Sequence, residues 1–212
     1  MCIRDRHKIL FHSDASQSLG KINIDLSKIP VDLMTFCGQK IYAPKGIGAL
    51  YIREKKNIIN LTTQIHGSGQ ENNLRSGTVA THQAIAFGEA CRLAKLEMSQ
   101  EYIKIKTLAH KLLHGLKKIN GVKINSQINN SYPGILNASF NYQNQISLIK
   151  NLKNLAVSSG SAGNGSKCSY VLQALGVSEE LAKNSLRFSV GRFTTEIEID
   201  KTIELITKIM NN

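Results

Sequence analysis

Val31-Asp32-Leu33-Met34-Thr35-Phe36-Cys37-Gly38-Gln39-Lys40 decides the fold class. Val31 to Phe36 is mostly apolar or β-branched, and Cys37-Gly38-Gln39-Lys40 ends the run with a glycine and a charge. That is the pattern of a short buried strand running into a loop. Upstream, Lys8 to Ser13 is a similar run built on Ile9-Leu10-Phe11 and ending at Asp14. Downstream, Gly46 and Gly48 introduce a third, Ile47 to Arg53. Residues 81 to 119 then carry a helical pattern, with Ile85, Ala86, Ala90, Leu93 and Ala94 on one face, followed by Leu108, Leu112, Leu113 and Leu116. Asn120-Gly121 stops it, since glycine takes the left-handed conformation that closes a helix.

A second set follows. Val122 to Asn125 and Ile135 to Asn141 read as strands, Gln145 to Leu155 as a helix and Ala156 to Ser159 as a strand. Ser169 to Leu175 and Glu179 to Asn184 read as short helices, and Leu186 to Val190 as a strand. Glu196 to Met210 is a final helix opened by Thr194 or Thr195 as cap. The expected class is α/β followed by α+β, with the boundary inside the long helix near Ser99: residues 7–98 form one domain and 99–212 the other.

Composition narrows the function classes. The 212 residues hold 27 basic and 15 acidic side chains, a net charge of +12. Twenty lysines stand against seven arginines, beside abundant Ile and Asn, which resembles the coding bias of an AT-rich genome. The densest lysines, Lys95, Lys104, Lys106, Lys111, Lys117 and Lys118, fall on the long helix with Glu97 and Glu101 among them. They read as a solvated face, and the scarcity of aromatics argues against a nucleic-acid partner. No apolar run approaches the roughly 18 residues of a membrane span. Cys2, Cys37, Cys91 and Cys168 show no metal-ribbon or disulfide spacing, so a reducing, cytoplasmic setting is expected. Met1-Cys2-Ile3-Arg4-Asp5-Arg6 resembles a translated adapter scar, and residues 1–6 are set aside as non-native.

Asp14 and Lys40 end two successive apolar runs, and ligands gather at the carboxyl ends of strands in open α/β sheets. A buried Asp and a buried Lys have a joint use in pyridoxal phosphate enzymes, where the lysine forms a Schiff base and the carboxylate holds the pyridine nitrogen protonated. Taken alone, the pair also reads as a turn aspartate and a solvent-exposed lysine.

The surrounding words are far more specific. Ser13-Asp14-Ala15-Ser16-Gln17-Ser18-Leu19-Gly20, the 31–40 run, Ile41-Tyr42-Ala43-Pro44-Lys45-Gly46-Ile47-Gly48-Ala49-Leu50-Tyr51, Arg75-Ser76-Gly77-Thr78, Val157-Ser158-Ser159-Gly160-Ser161-Ala162 and Leu186-Arg187-Phe188-Ser189-Val190-Gly191-Arg192-Phe193 occur in order. Together they closely resemble the cysteine desulfurases of iron–sulfur cluster assembly, class V aminotransferase-like enzymes of fold-type I. The resemblance runs from about Ile9 to Met210 and implies the C-terminal half of such an enzyme. It would comprise the latter part of the large cofactor domain followed by a small α+β domain.

The resemblance also implies roles. Asp14 would face the pyridinium nitrogen, Gln17 would bond the ring hydroxyl oxygen, and Lys40 would carry pyridoxal 5'-phosphate, desolvation favouring its neutral amine. Lys45, in a Pro-Lys-Gly turn, is the weaker alternative. Phosphate would be held at Cys37, Gln39 and, from a neighbouring subunit, Thr78. The family has Ser and His at the first two positions, so a poor thiol donor and an uncharged amide imply weaker phosphate affinity. Arg187 would grip the substrate carboxylate with its planar fork, while Arg192, His66 and His82 read as structural.

One departure concerns the nucleophile. In the family a cysteine directly follows Ser-Ser-Gly-Ser-Ala; here that position is Gly163. Cys168, beside Lys167 and ahead of a helix start, has the surroundings that lower a thiol pKa and is the candidate replacement. The implied reaction converts L-cysteine to L-alanine and passes sulfur as a persulfide to an iron–sulfur scaffold or other acceptor protein, within a homodimer. Two alternatives stay open: a related lyase or aminotransferase using the same cofactor, and a non-catalytic partner subunit that has lost the nucleophile.

Overall fold

The computed structural model describes residues 3–54, 59–127, 131–142, 148–159 and 169–211. They fall into two compact units, Met1–Met98 and Ser99–Asn212. Among the described residues no helix is long and apolar enough to cross a membrane.

In the first unit, one helical turn, α1 (Ile3–Arg6), precedes β1 (His12–Asp14), β2 (Leu33–Cys37) and β3 (Gly48–Ile52). The strands form one sheet in that order. β1 and β2 are parallel, with His12 opposite Leu33 and Asp14 opposite Thr35. β2 and β3 are antiparallel, from Leu33–Ile52 to Cys37–Gly48. Ala15, Val31 and Met34 are buried together, with Ile24, Leu26 and Ile29 packed on them. Arg53 fastens the intervening loop: its guanidinium donates to the main-chain carbonyls of Leu26, Ile29 and Val31.

The first strand is shorter than its apolar pattern predicts. Ile9, Leu10 and Phe11 lie outside β1 and are exposed. The reason is Asp32, whose side chain is 1% exposed and whose carboxylate accepts the Phe11 N–H at 2.8 Å. A side chain thereby takes the donor that would have extended the ladder. The same carboxylate pairs with Arg4 at 2.7 Å, and Arg4 stacks over the Phe11 ring. Arg4, set aside with residues 1–6 in the sequence reading, therefore takes part in the packing.

Helix α2 (Thr81–Lys117) begins in the first unit, where Ala90 and Ala94 are buried, and continues into the second. In the second unit its apolar stripe of Ile105, Leu108, Ala109, Leu112, Leu113 and Leu116 is buried at helical spacing. The partner surface is an antiparallel sheet of β4 (Val122–Ile124), β5 (Ile135–Phe140) and β6 (Ser185–Ser189). Leu136, Ala138 and Phe140 alternate along β5 into this core, and each large side chain so buried contributes about 1.5–3 kcal/mol. The other face is polar, with Asn125 Nδ2 donating to Asn137 and Ser139 while its own Oδ1 stays without a partner among the described residues. Ser139 and Ser185 share a 2.8 Å hydrogen bond, and Ser185 donates onward to the Leu181 carbonyl.

Short helices α3 (Leu148–Asn151), α4 (Tyr170–Ala174) and α5 (Glu179–Lys183) precede β6, and α6 (Glu196–Met210) ends the unit. Thr195, not Thr194, caps α6 in a reciprocal box: its hydroxyl accepts the Glu198 N–H, and the Glu198 carboxylate accepts the Thr195 N–H. Among the described residues the helix expected over 145–155 is only α3. Leu152 and Leu155 close tighter turns on Ile149 and Leu152, and residues 143–147 lie outside the described residues. The strand expected over 156–159 contracts to one bridge, Ser158 with Arg187.

Candidate active site

Asp14 and Lys40 leave the same end of the sheet because β1 and β2 are parallel. Asp14 is the last residue of β1, and Lys40 lies in a 3-10 turn, Gly38–Ile41, directly after β2. Tyr42 closes that turn with φ 69°, its N–H donating to the Gly38 carbonyl. A Cβ on Gly38 would stand 2.8 Å from Ile47 Cγ2, so only glycine permits this packing without displacement.

Asp14 Oδ1 accepts the Ser16 N–H at 2.8 Å. Hydrogen bonds from the Ser16 side chain and main chain, assisted by the charge of His12, hold the carboxyl below its ordinary value. It is an ionised carboxylate at neutral pH. Gln17, three residues on, turns its side-chain oxygen to Lys21, whose Nζ donates at 2.6 Å. Lys21 is half-buried, and burial followed by the charge of Lys40 depresses its pKa. Asp14, Gln17, Lys21 and Lys40 thus gather at one sheet end.

Contact between the two turns is tight. Gly20 has φ +68°, and a Cβ there would lie 2.8 Å from Ile41 Cγ2 and 3.0 Å from the Ala94 Cβ. The segment after β1 therefore packs against the residue next to Lys40.

Burial differs from the sequence expectation. Asp14 and Lys40 are both exposed, because Asp14 is the last ladder residue and Lys40 lies beyond the ladder in a turn. The desolvation expected of Lys40 is not supplied by the described residues. Lys45 is exposed too, and its carbonyl is engaged by Gln83 Nε2 at 2.9 Å.

Cys37 ends β2 as a free, partly exposed thiol, and Gln39 is exposed in the 3-10 turn. Thr78 is displayed at the end of a loop that braces itself: Ser76 donates to the Ser68 carbonyl at 2.7 Å, and the Gly77 N–H donates to Gln70 Oε1 at 3.2 Å. No hydrogen bond among the described residues joins Thr78 to Asp14, Gln17 or Lys40.

Arg187 belongs to the second unit. Its main chain is pinned on both sides, to Asn137 across β5 and to Ser158 at 2.7 Å and 3.2 Å. Its side chain is exposed, and no ion pair among the described residues engages it. Arg192, by contrast, is tied to Glu101 as a structural pair. Cys168, the candidate nucleophile, and Gly163 lie outside the described residues.

Lys21 is the site residue that sequence reasoning missed. Its signal was the four-residue spacing from Gln17, but in a turn that spacing carries no helical expectation of contact.

Comparisons with known proteins concern the chain as a whole. The family described as Aminotransferase class-V matches residues 2–202. The cysteine desulfurase IscS of Serratia proteamaculans is 54% identical over 202 residues, which cover 94% of this chain and 50% of that protein. The cysteine desulfurase IscS of Buchnera aphidicola subsp. Baizongia pistaciae is 50% identical over 220 aligned residues, 99% of this chain and 54% of that one. Among solved structures, a NifS-like protein from Rickettsia africae superposes with a TM-score of 0.85 at 32% identity, covering 99% of this chain and 56% of its own. DndA from Streptomyces lividans gives 0.72 at 32% identity, covering 85% and 52%. The chain spans about half the length of the curated relatives it matches. Its mixed α/β fold is that of the NifS-like structures.

Proposed function

This chain belongs to the aminotransferase class V family, and from that membership we propose that it forms half of a pyridoxal phosphate-dependent cysteine desulfurase. The complete protein would be a cytoplasmic homodimer that converts L-cysteine to L-alanine and passes the sulfur to an iron–sulfur scaffold or other acceptor protein. Residues 7–98 would complete the cofactor domain, and 99–212 would form the small domain.

The observation that carries this reading is the gathering of an ionised carboxylate, an oriented amide and a primary amine, Asp14, Gln17 and Lys40, at one sheet end. That donor set fits pyridoxal phosphate. When bound, the cofactor supplies an electron sink for the bonds at the substrate α-carbon. Asp14 accepts a charge-assisted hydrogen bond from the protonated ring nitrogen, and Gln17 donates its amide N–H to the ring oxygen. Lys40 offers the amine that holds the cofactor and moves a proton at the substrate α-carbon. Thr78, Gln39 and Cys37 offer hydroxyl, amide and thiol to the phosphate, with Thr78 reaching across a two-fold interface. Arg187 grips the substrate carboxylate with two parallel bonds.

Sulfur transfer balances with one enzyme thiol. The substrate C–S bond breaks, an S–S bond forms to give the persulfide, and one proton ends on the β-carbon of alanine. Cys168 is the thiol proposed for this step. Gly163 favours a second reading, in which the same cofactor serves a lyase, an aminotransferase or a partner subunit without a persulfide.

The test uses the complete protein supplied with L-cysteine. Release of alanine with persulfide on Cys168, both lost in Cys168→Ser, is the expected result. Inactive wild type together with activity restored by Gly163→Cys would support the second reading.

A further inference from the structure

Gln17 can donate to a ring oxygen only if its amide nitrogen faces the ligand. The structure contains the group that decides this. Lys21 Nζ lies 2.6 Å from the Gln17 side-chain oxygen. An ammonium has three donors and no acceptor, so the atom facing it must be the carbonyl oxygen, and the amide nitrogen is turned away from Lys21.

Lys21 is itself held in place. Gly20, its neighbour, sits against Ile41 and Ala94 with no room for a Cβ. The turn after β1 is further closed by the Lys21 N–H on the Ser18 carbonyl at 3.1 Å and the Leu19 N–H on the Ala15 carbonyl at 3.0 Å. Lys21 is half-buried, so less rotamer freedom remains to be lost in making the bond.

We infer that Lys21 is a positioning residue that locks the Gln17 amide with its N–H groups free to bond an acceptor oxygen on the cofactor ring. The inference rests on the cofactor reading above. Burial first, and then the charge of Lys40, lowers the pKa of Lys21.

The test measures pyridoxal phosphate affinity of the complete protein by equilibrium dialysis, together with the visible absorption maximum of the bound cofactor. Variants are Lys21→Met, Lys21→Arg, Gln17→Ala and the double variant Gln17→Ala/Lys21→Met, each first shown to keep the wild-type unfolding midpoint. Lys21→Met is expected to weaken binding about fivefold and to shift the absorption maximum. Lys21→Arg, which keeps a donor on the Gln17 oxygen, is expected to restore both. In the Gln17→Ala background Lys21→Met should do nothing further, because Lys21 acts through Gln17. An undiminished affinity in Lys21→Met, or an equal loss with and without Gln17, overturns the inference. Absence of cofactor binding by the wild type overturns the cofactor reading instead.

Discussion

Asp14 stands directly opposite Thr35 in the parallel register of β1 and β2, five positions short of Lys40 on the neighbouring chain segment. A parallel pair sends both strands out of the same edge, so a carboxylate and an amine far apart in sequence reach one end of the sheet. That end depends on close packing by the turn after β1.

Gly20→Val tests this dependence. The residue has φ +68°, and its would-be Cβ lies 2.8 Å from Ile41. Left-handed strain and overpacking together should destabilise the protein by about 2–4 kcal/mol, read as a lower urea midpoint. Cofactor affinity should fall as well, since the Lys40 turn must shift to make room.

Asp32→Ala should be costly without touching any proposed site residue. Its carboxylate is 1% exposed and satisfies both Phe11 and Arg4. Removing it strands a main-chain donor and a guanidinium, a loss of about 3 kcal/mol in chemical denaturation. An unchanged midpoint would show that the Asp32 contacts do not hold the start of β1.

The α6 capping box gives a pH prediction. Hydrogen bonds from the Thr195 main chain and side chain hold the Glu198 carboxyl below its ordinary value of 4.5. A carboxyl depressed on folding stabilises above its unfolded value, and that contribution is lost as pH falls through the folded one. Wild type should therefore lose more stability than Glu198→Gln between about pH 6 and about pH 3. Parallel curves would contradict the capping role.

Arg187→Lys probes the proposed substrate carboxylate contact. Lysine keeps the charge but loses the fork, so kcat/KM for L-cysteine in the complete protein should drop about thirtyfold. Unfolding should be unaffected, because the side chain is exposed and β6 is held through its main chain.

Much of this architecture is legible in the sequence where one physical signal dominates. The stripe Leu108, Leu112, Leu113 and Leu116 repeats at helical spacing, and all four side chains are buried. The 31–36 run lies within a few residues of the β2 strand, Leu33–Cys37. Legibility fails where a side chain competes with the backbone. Asp32 takes the Phe11 N–H and shortens β1, which no apolar pattern reveals. It fails again in turns, where no periodicity joins Lys21 to Gln17. Among the described residues Asp14 and Lys40 are exposed, because a residue at a strand end inherits none of the strand's enclosure.

The central claim is that Lys40 holds the cofactor, and one labelling experiment addresses it most directly. The complete protein, loaded with pyridoxal phosphate, is reduced with borohydride, digested and mapped by mass spectrometry. The account predicts a stable pyridoxyl label on Lys40, absent in Lys40→Ala. A label on Lys45 or Lys21, or none on any lysine of this chain, would contradict it.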